Sequence, residues 1–181
     1  GRCGSARSGS STRNCKEAPE VNRILFAGGG TAGHIEPALA TARQWKLAHP
    51  QDRIDFLGTA SGLETRIIPD AGFSLLLITK VRIARSLSPS LLLAPFTLIK
   101  SIAQCLNHLR GVDLLVGFGG YVSAPAYIAA ALSRVPIVIH EANAKPGIAN
   151  RLGGIFTKNT ALAYPVISGS LAHSLIVGLP L

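Results

Sequence analysis

The stretch "AGGGTAGHIEP", residues 27–37, follows directly on the apolar run "RILFA" (23–27). Gly28, Gly30 and Gly33 have the spacing G-x-G-x-x-G, a strand-to-helix turn in which backbone amides and a helix N-terminus face an anion. The turn predicts a strand, then a helix entered near Glu36 or Pro37. It leaves three readings open: a dinucleotide, another phosphate, or a tight turn with no ligand. A dinucleotide site also calls for an acid at the end of the second strand, about twenty residues on. Here that strand ends "DFLGTASG", with Asp55 inside it and Gly58-Thr59 at the acid's position. His34-Ile35-Glu36-Pro37 also departs from the small apolar residues that follow such a fingerprint. NAD is therefore disfavoured, while an anion still suits the loop. A histidine beside a helix N-terminus is held neutral by the dipole, so His34 is a candidate general base.

Outward from this loop, short apolar runs alternate with helical patterns. Strands are expected at 23–27, 53–58, 74–79, 113–117, 136–140 and 160–164, with a weaker one at 175–178. Helices are expected near 36–48, 62–71, 88–110, 123–133 and 146–153. Strands that are apolar almost throughout belong to a sheet covered on both faces. The expected fold is α/β, a Rossmann-like doubly wound parallel sheet built from right-handed βαβ units. Ligands of such sheets bind at the C-terminal strand ends. Two more polar, glycine-rich loops fall there. "VGFGGYVSAP" (116–125) offers Gly117, Gly119, Gly120, Tyr121 and Ser123. "IHEANAKPGIANR" (139–151) offers His140, Glu141, Asn143, Lys145 and Asn150. Glu141 suits a sugar hydroxyl or a base role, or it orients the backbone of its own loop; Ser123 and Asn143 suit capping as well as binding.

The 181 residues carry a net charge of +9. No acid lies between Asp70 and Asp113, where Lys80, Arg82, Arg85, Lys100 and Arg110 accumulate. Beside them the 88–110 helix carries more apolar residues than one stripe requires, with Leu92, Leu93, Phe96 and Ile99 in surplus. Two-sided burial explains that surplus, and so does an apolar patch ringed by cations against an anionic membrane. With few aromatic residues and none interleaved with the basic ones, nucleic acid is not an expected partner. No apolar run is long enough to cross a bilayer. Cys3, Cys15 and Cys105 form neither a zinc motif nor a disulfide frame, which fits a reducing cytoplasm. Residues 1–20, rich in Ser, Gly and Arg, read as a disordered tail without the apolar core of a secretory signal.

Taken together and in order, "GGGTAGHIEPALA", "GFGGYVSAPA" and "HEANAKPGIANR" resemble the N-terminal domain of the MurG family, bacterial UDP-N-acetylglucosamine transferases that make lipid II from lipid I. The resemblance runs from about 22 to 181 and includes "GTASGLETRIIPDAGF" (58–73). It implies the N-terminal, acceptor-binding half of a two-domain GT-B fold over residues 21–181. It also implies an inverting transfer of GlcNAc from UDP-GlcNAc to the C4 hydroxyl of lipid-linked MurNAc-pentapeptide, in peptidoglycan synthesis.

By that resemblance His34 and then Glu141 are the candidate catalytic bases. Gly29, Gly30, Thr31, Gly33, Gly117, Gly119, Gly120, Tyr121 and Asn143 would bind the acceptor, with His140 beside them. Lys80, Arg82, Arg85, Leu92, Leu93, Phe96 and Lys100 would form a patch docking on the cytoplasmic face of the membrane as a peripheral protein. No metal and no cofactor are expected. Ala32 stands where many members have Gly, and Ala142, where many have Gln, removes an amide. Family members continue past a "G-x-P" like Gly178-Leu179-Pro180 into a donor domain that holds the UDP-sugar, so a chain ending at Leu181 is expected to have little activity alone. Two alternatives stand beside this one: a non-catalytic membrane-recruiting subunit of a split GT-B transferase, and an NAD-binding oxidoreductase domain.

Overall fold

The computed structural model describes residues 22–81, 94–165, 171 and 174–180. Its strands are β1 (Arg23–Gly28), β2 (Arg53–Gly58), β3 (Ser74–Leu77), β4 (Leu114–Gly119), β5 (Ile137–Glu141), β6 (Thr160–Leu162) and β7 (Leu175–Ile176). Its helices are α1 (Ala32–Ala48), α2 (Glu64–Asp70), α3 (Ala94–His108), α4 (Ser123–Ser133) and α5 (Ile148–Phe156). All strand pairs are parallel, in the order β3-β2-β1-β4-β5-β6-β7. The order reverses between β1 and β4, where a doubly wound sheet opens its crevice.

The strands are apolar throughout because successive side chains enter two different cores. Ile24 and Phe26 join Phe56, Val116 and Phe118 beneath α1, through Ile35, Ala38, Leu39 and Ala42. Leu25 and Ala27 join Leu57, Leu115 and Ile139 on the opposite face, with α3 and α4 over them. Phe26 stacks between Phe56 and Phe118, at centroid separations of 5.1 and 5.9 Å. Cys105 is buried in the second core, where loss of solvation pushes its thiol up to about 12. It is a packing residue.

Several expected boundaries move. Helix α1 begins at Ala32 rather than near Glu36, because Thr31 is the extended N-cap residue and Pro37 sits inside the helix. A proline near a helix start marks its early turns and not always its first residue. Helix α5 runs Ile148–Phe156, later than the expected 146–153, with Gly147 as its extended N-cap residue. The third and sixth strands stop at Leu77 and Leu162, short of 79 and 164. Helix α4 occupies its expected residues, and Arg134 ends it in the left-handed conformation (φ 59°). The 88–110 helix is described from Ala94 to His108; Arg82, Arg85, Leu92 and Leu93 lie outside the described residues, as does the 1–20 tail.

Candidate active site

The loops after β1, β4 and β5 meet at the C-terminal edge of the sheet. Between β1 and β4 the register slips: Ala27 pairs with Gly117 but Gly28 pairs with Gly119, so Phe118 is the extra residue. That slip turns the second loop toward the first. Gly120 then crosses Gly29 so closely that a Cβ on Gly120 would strike the Gly29 carbonyl, and its φ of +83° is one that side-chain-bearing residues rarely adopt. Further along the same loop, Ser123 does not cap α4, since Val122 holds the cap position. Its hydroxyl donates to the carbonyls of Ala27 (2.7 Å) or Gly119 (2.8 Å) and ties β1 to β4.

His34 lies in the first turn of α1, with Nδ1 2.9 Å from the Thr31 hydroxyl. Its Nε2 faces Gly119, where an added Cβ would lie 3.1 Å away. Burial lowers the imidazole below its ordinary value, and the charge of Glu141 pulls it partly back. His34 is therefore neutral at pH 7. The helix begins earlier than expected, yet the expectation of a neutral histidine at its N-terminus stands; burial is the first cause. His34, Gly120, Tyr121 and Gly147 edge a cavity of about 410 Å³ whose remaining walls come from Val81 and from α3, α4 and α5.

The third loop is organised by Glu141, which is 1% exposed. One carboxylate oxygen accepts from the Asn143 backbone (2.9 Å) and side-chain amide (2.8 Å). The other accepts from the Gly147 amide (2.9 Å) and Asn150 Nδ2 (3.0 Å). A carboxylate holding four donors is a scaffold for its loop, and it remains near enough to stabilise an imidazolium at His34. Asn150 is held in turn by the hydroxyl of the fully buried Tyr127, which donates to it at 2.7 Å. Gly117 admits that hydroxyl, because any Cβ there would overlap it. His140 points elsewhere: its Nε2 is 3.0 Å from the Gly178 carbonyl and its ring tilts on Phe118.

The residue that sequence reasoning missed is Glu64, at the start of α2 and fully buried. Its carboxylate accepts from the Tyr121 hydroxyl (2.8 Å), the Thr59 amide (3.1 Å), the Thr59 hydroxyl (3.2 Å) and the Gly30 amide (3.4 Å). Burial opposes its ionisation, but the hydrogen bonds from its own backbone, Tyr121, Thr59 and Gly30 outweigh that, and its pKa lies below the usual carboxylate value. Glu64 thus fixes the first glycine loop and Tyr121 from behind. The Tyr121 phenol is pushed up by burial and by Glu64. The Gly30 amide is engaged by Glu64, at 3.4 Å. The open amides of the first loop are those of the opening turn of α1, at Ala32 and Gly33.

Lys80 stands apart from α3, with its Nζ 4.9 Å above the Tyr121 ring, at the candidate site. Phe96 and Ile99, by contrast, are 69% and 65% exposed on α3, with Lys100 exposed beside them. Asp55, inside β2 rather than at its end, is buried against Arg23 and Arg53, each at 3.0 Å.

Residues 24–162 match the N-terminal domain of glycosyltransferase family 28. The chain belongs to that family. It is 45% identical over 161 residues to the UDP-N-acetylglucosamine–N-acetylmuramyl-(pentapeptide) pyrophosphoryl-undecaprenol N-acetylglucosamine transferase of Thermobifida fusca, covering 88% of this chain and 42% of that one. It is 47% identical over 167 residues to the Corynebacterium jeikeium protein of the same name, covering 90% of this chain and 44% of that one. The crystal structure of Acinetobacter baumannii MurG superposes with a TM-score of 0.73 at 29% identity, over 87% of this chain and 45% of that one. The chain thus spans less than half the length of the curated relatives it matches. The Rossmann-like, parallel α/β fold expected from the sequence is the fold observed. Among the described residues, no helix is long and apolar enough to cross a membrane.

Proposed function

We propose that residues 21–181 are the acceptor-binding half of an inverting glycosyltransferase that joins GlcNAc from UDP-GlcNAc to the C4 hydroxyl of lipid-linked MurNAc-pentapeptide. The observation that carries this reading is His34: a neutral imidazole at a helix N-terminus, bordering a cavity where three glycine-bearing loops meet. The activity for which the relatives are named supplies the substrates.

In this reading the productive tautomer carries its proton on Nδ1, which donates to the Thr31 hydroxyl and leaves the Nε2 lone pair toward the site. Nε2 takes the proton of the attacking hydroxyl as its oxygen bonds to the anomeric carbon and the sugar–phosphate bond breaks, releasing UDP. The imidazolium that forms is stabilised by the Glu141 carboxylate. Glu141 and Glu64 are positioning residues, since each already holds four hydrogen bonds. The acceptor diphosphate is met by the open amides of α1, by Lys80 and by the glycine loop at Gly119 and Gly120. Phe96, Ile99 and Lys100 form the described part of a surface that rests on an anionic membrane at its cytoplasmic side.

Thermal melting of the chain with separate ligands tests the reading. A lipid-linked MurNAc diphosphate at about 100 times its Kd adds about 2.7 kcal/mol and raises the midpoint, whereas NAD leaves it unchanged. A midpoint raised by NAD and indifferent to the acceptor would overturn the assignment.

A further inference from the structure

The cavity beside His34 has two chemically distinct parts. Its polar edge is formed by His34, Gly120, Tyr121 and Gly147. Its walls are apolar: Val81, Leu98 of α3, Pro125 and Ile128 of α4, and Ile148 and Leu152 of α5. Among the described residues no lysine, arginine, aspartate or glutamate side chain lines it, while the Lys80 ammonium stands over Tyr121 at the polar edge. A volume of about 410 Å³ is in the range of ligand pockets, roughly 300–1,000 Å³. A sugar or a peptide stem would leave its hydroxyls and amides unpaired against these walls, at a cost in free energy. A hydrocarbon chain would not.

We infer that this cavity is a binding site for the alkyl chain of a diphosphate-headed lipid, taking the isoprenoid carbons nearest the head group while the diphosphate sits at the polar edge. The inference rests on the acceptor reading above and adds to it a defined place for the carrier lipid. Two observations fit the occupant. The Lys80 ammonium at the edge and the opening amides of α1 lie on the side where the diphosphate would be. The wall residue Ile148 is itself 76% exposed, and α3 continues outward from Leu98 to Ile99, 65% exposed, so a long chain can leave the cavity along an apolar surface. Specificity then resides in the joint between head and tail. A lipid whose first carbons are bulky or polar is excluded by Pro125 and Ile128, whatever its sugar.

Isothermal titration of the folded chain with three probes tests this: farnesyl diphosphate below its micelle concentration, inorganic diphosphate, and farnesol. Farnesyl diphosphate should bind at least about tenfold more tightly than inorganic diphosphate, because each buried methylene adds to affinity. Ala124→Phe, which fills the cavity from α4, should remove that gain and leave inorganic diphosphate binding unchanged. Ile128→Asp, at a half-buried position, should do the same by charging the wall, with circular dichroism confirming that both variants fold. Equal affinity for farnesyl diphosphate and inorganic diphosphate, or a gain that survives both substitutions, overturns the lipid site and leaves the acceptor loops standing. Equal affinity for farnesyl diphosphate and farnesol does the reverse: it supports the apolar site and removes the diphosphate from the acceptor reading.

Discussion

Asp55 and the two site glutamates, toward opposite ends of the sheet, are buried in opposite ways. At the N-terminal end, Asp55 is buried between the guanidinium groups of Arg23 and Arg53, while its neighbour Asp52 is met, as the site acids are, by neutral donors, the Trp45 indole (2.9 Å) and the Asn22 amide (3.0 Å). These contacts join strand starts and the end of α1. At the C-terminal end, Glu64 and Glu141 are met by amides and hydroxyls of the loops themselves. An acid paired with a cation neutralises charge and needs little from the backbone. An acid met by neutral donors dictates where each N–H points, so it sets the shape of a loop. The first arrangement holds a fold together; the second prepares a site.

Replacing the acids breaks the comparison most sharply. Glu64→Ala strands the Thr59 and Gly30 amides and the Tyr121 hydroxyl in the interior, and should cost about 3–5 kcal/mol. Asp55→Asn keeps a hydrogen-bonding side chain beside Arg53, whose side chain is 60% exposed, and should cost about 1–2 kcal/mol. Urea midpoints at constant m-value measure both. If Asp55→Asn costs as much as Glu64→Ala, the two ends are built alike.

Glycines give the next effect. Gly72, between α2 and β3 at the N-terminal end, and Gly120, at the site, have nearly equal positive φ of 82° and 83°. A Cβ on Gly72 meets open space, so Gly72→Ala should cost about 1 kcal/mol for conformation alone. A Cβ on Gly120 meets the Gly29 carbonyl as well, and Gly120→Ala should cost about 2–4 kcal/mol. The difference between them measures how tightly the first two loops are locked.

The smaller pH effect separates His34 from Glu64. Both have folded-state pKa values below their unfolded ones, so in each case the unfolded chain binds more protons between the two values, and stability falls as pH falls. For His34 the loss begins near its ordinary pKa of about 6.5. For Glu64 it begins near about 4.3 and continues as pH drops through the folded value. His34→Gln should flatten the upper part of the curve of unfolding free energy against pH and leave the lower part. An upper part unchanged by His34→Gln would mean that the imidazole is not held neutral by the fold.

How much of this was legible in sequence follows from range. The strands were legible because two-sided burial writes itself as uninterrupted apolar residues, as in Phe26 between Leu25 and Ala27. His34 was legible because a glycine turn names the helix end that follows it. Glu64 was not: within "GLETRIIPD" a glutamate reads as the solvent face of a short helix, and it is buried because Tyr121, 57 positions away in sequence, closes over it. Glu141 was seen as important, but its four donors could not be counted before the loop closed on Gly147 and Asn150. Lys80 was grouped by charge with the residues after it, whereas its ring contact takes it to Tyr121.

The smallest expected change in stability belongs to α3, where the same logic is inverted. Phe96 and Ile99 are large, apolar and exposed, so replacing both with Ser removes almost no buried contact and should leave the unfolding free energy within about 0.5 kcal/mol. A fold that keeps such residues in water gains nothing from them alone. Their use has to lie in what they touch, and the neighbouring Lys100 favours an anionic surface. Flotation with vesicles containing anionic lipid should therefore show reduced binding for the double Ser variant, with a further reduction on Lys100→Glu and little binding to neutral vesicles. Binding that falls with the charge but ignores Phe96 and Ile99 would make the contact purely electrostatic, and the apolar part of the surface would then need another partner.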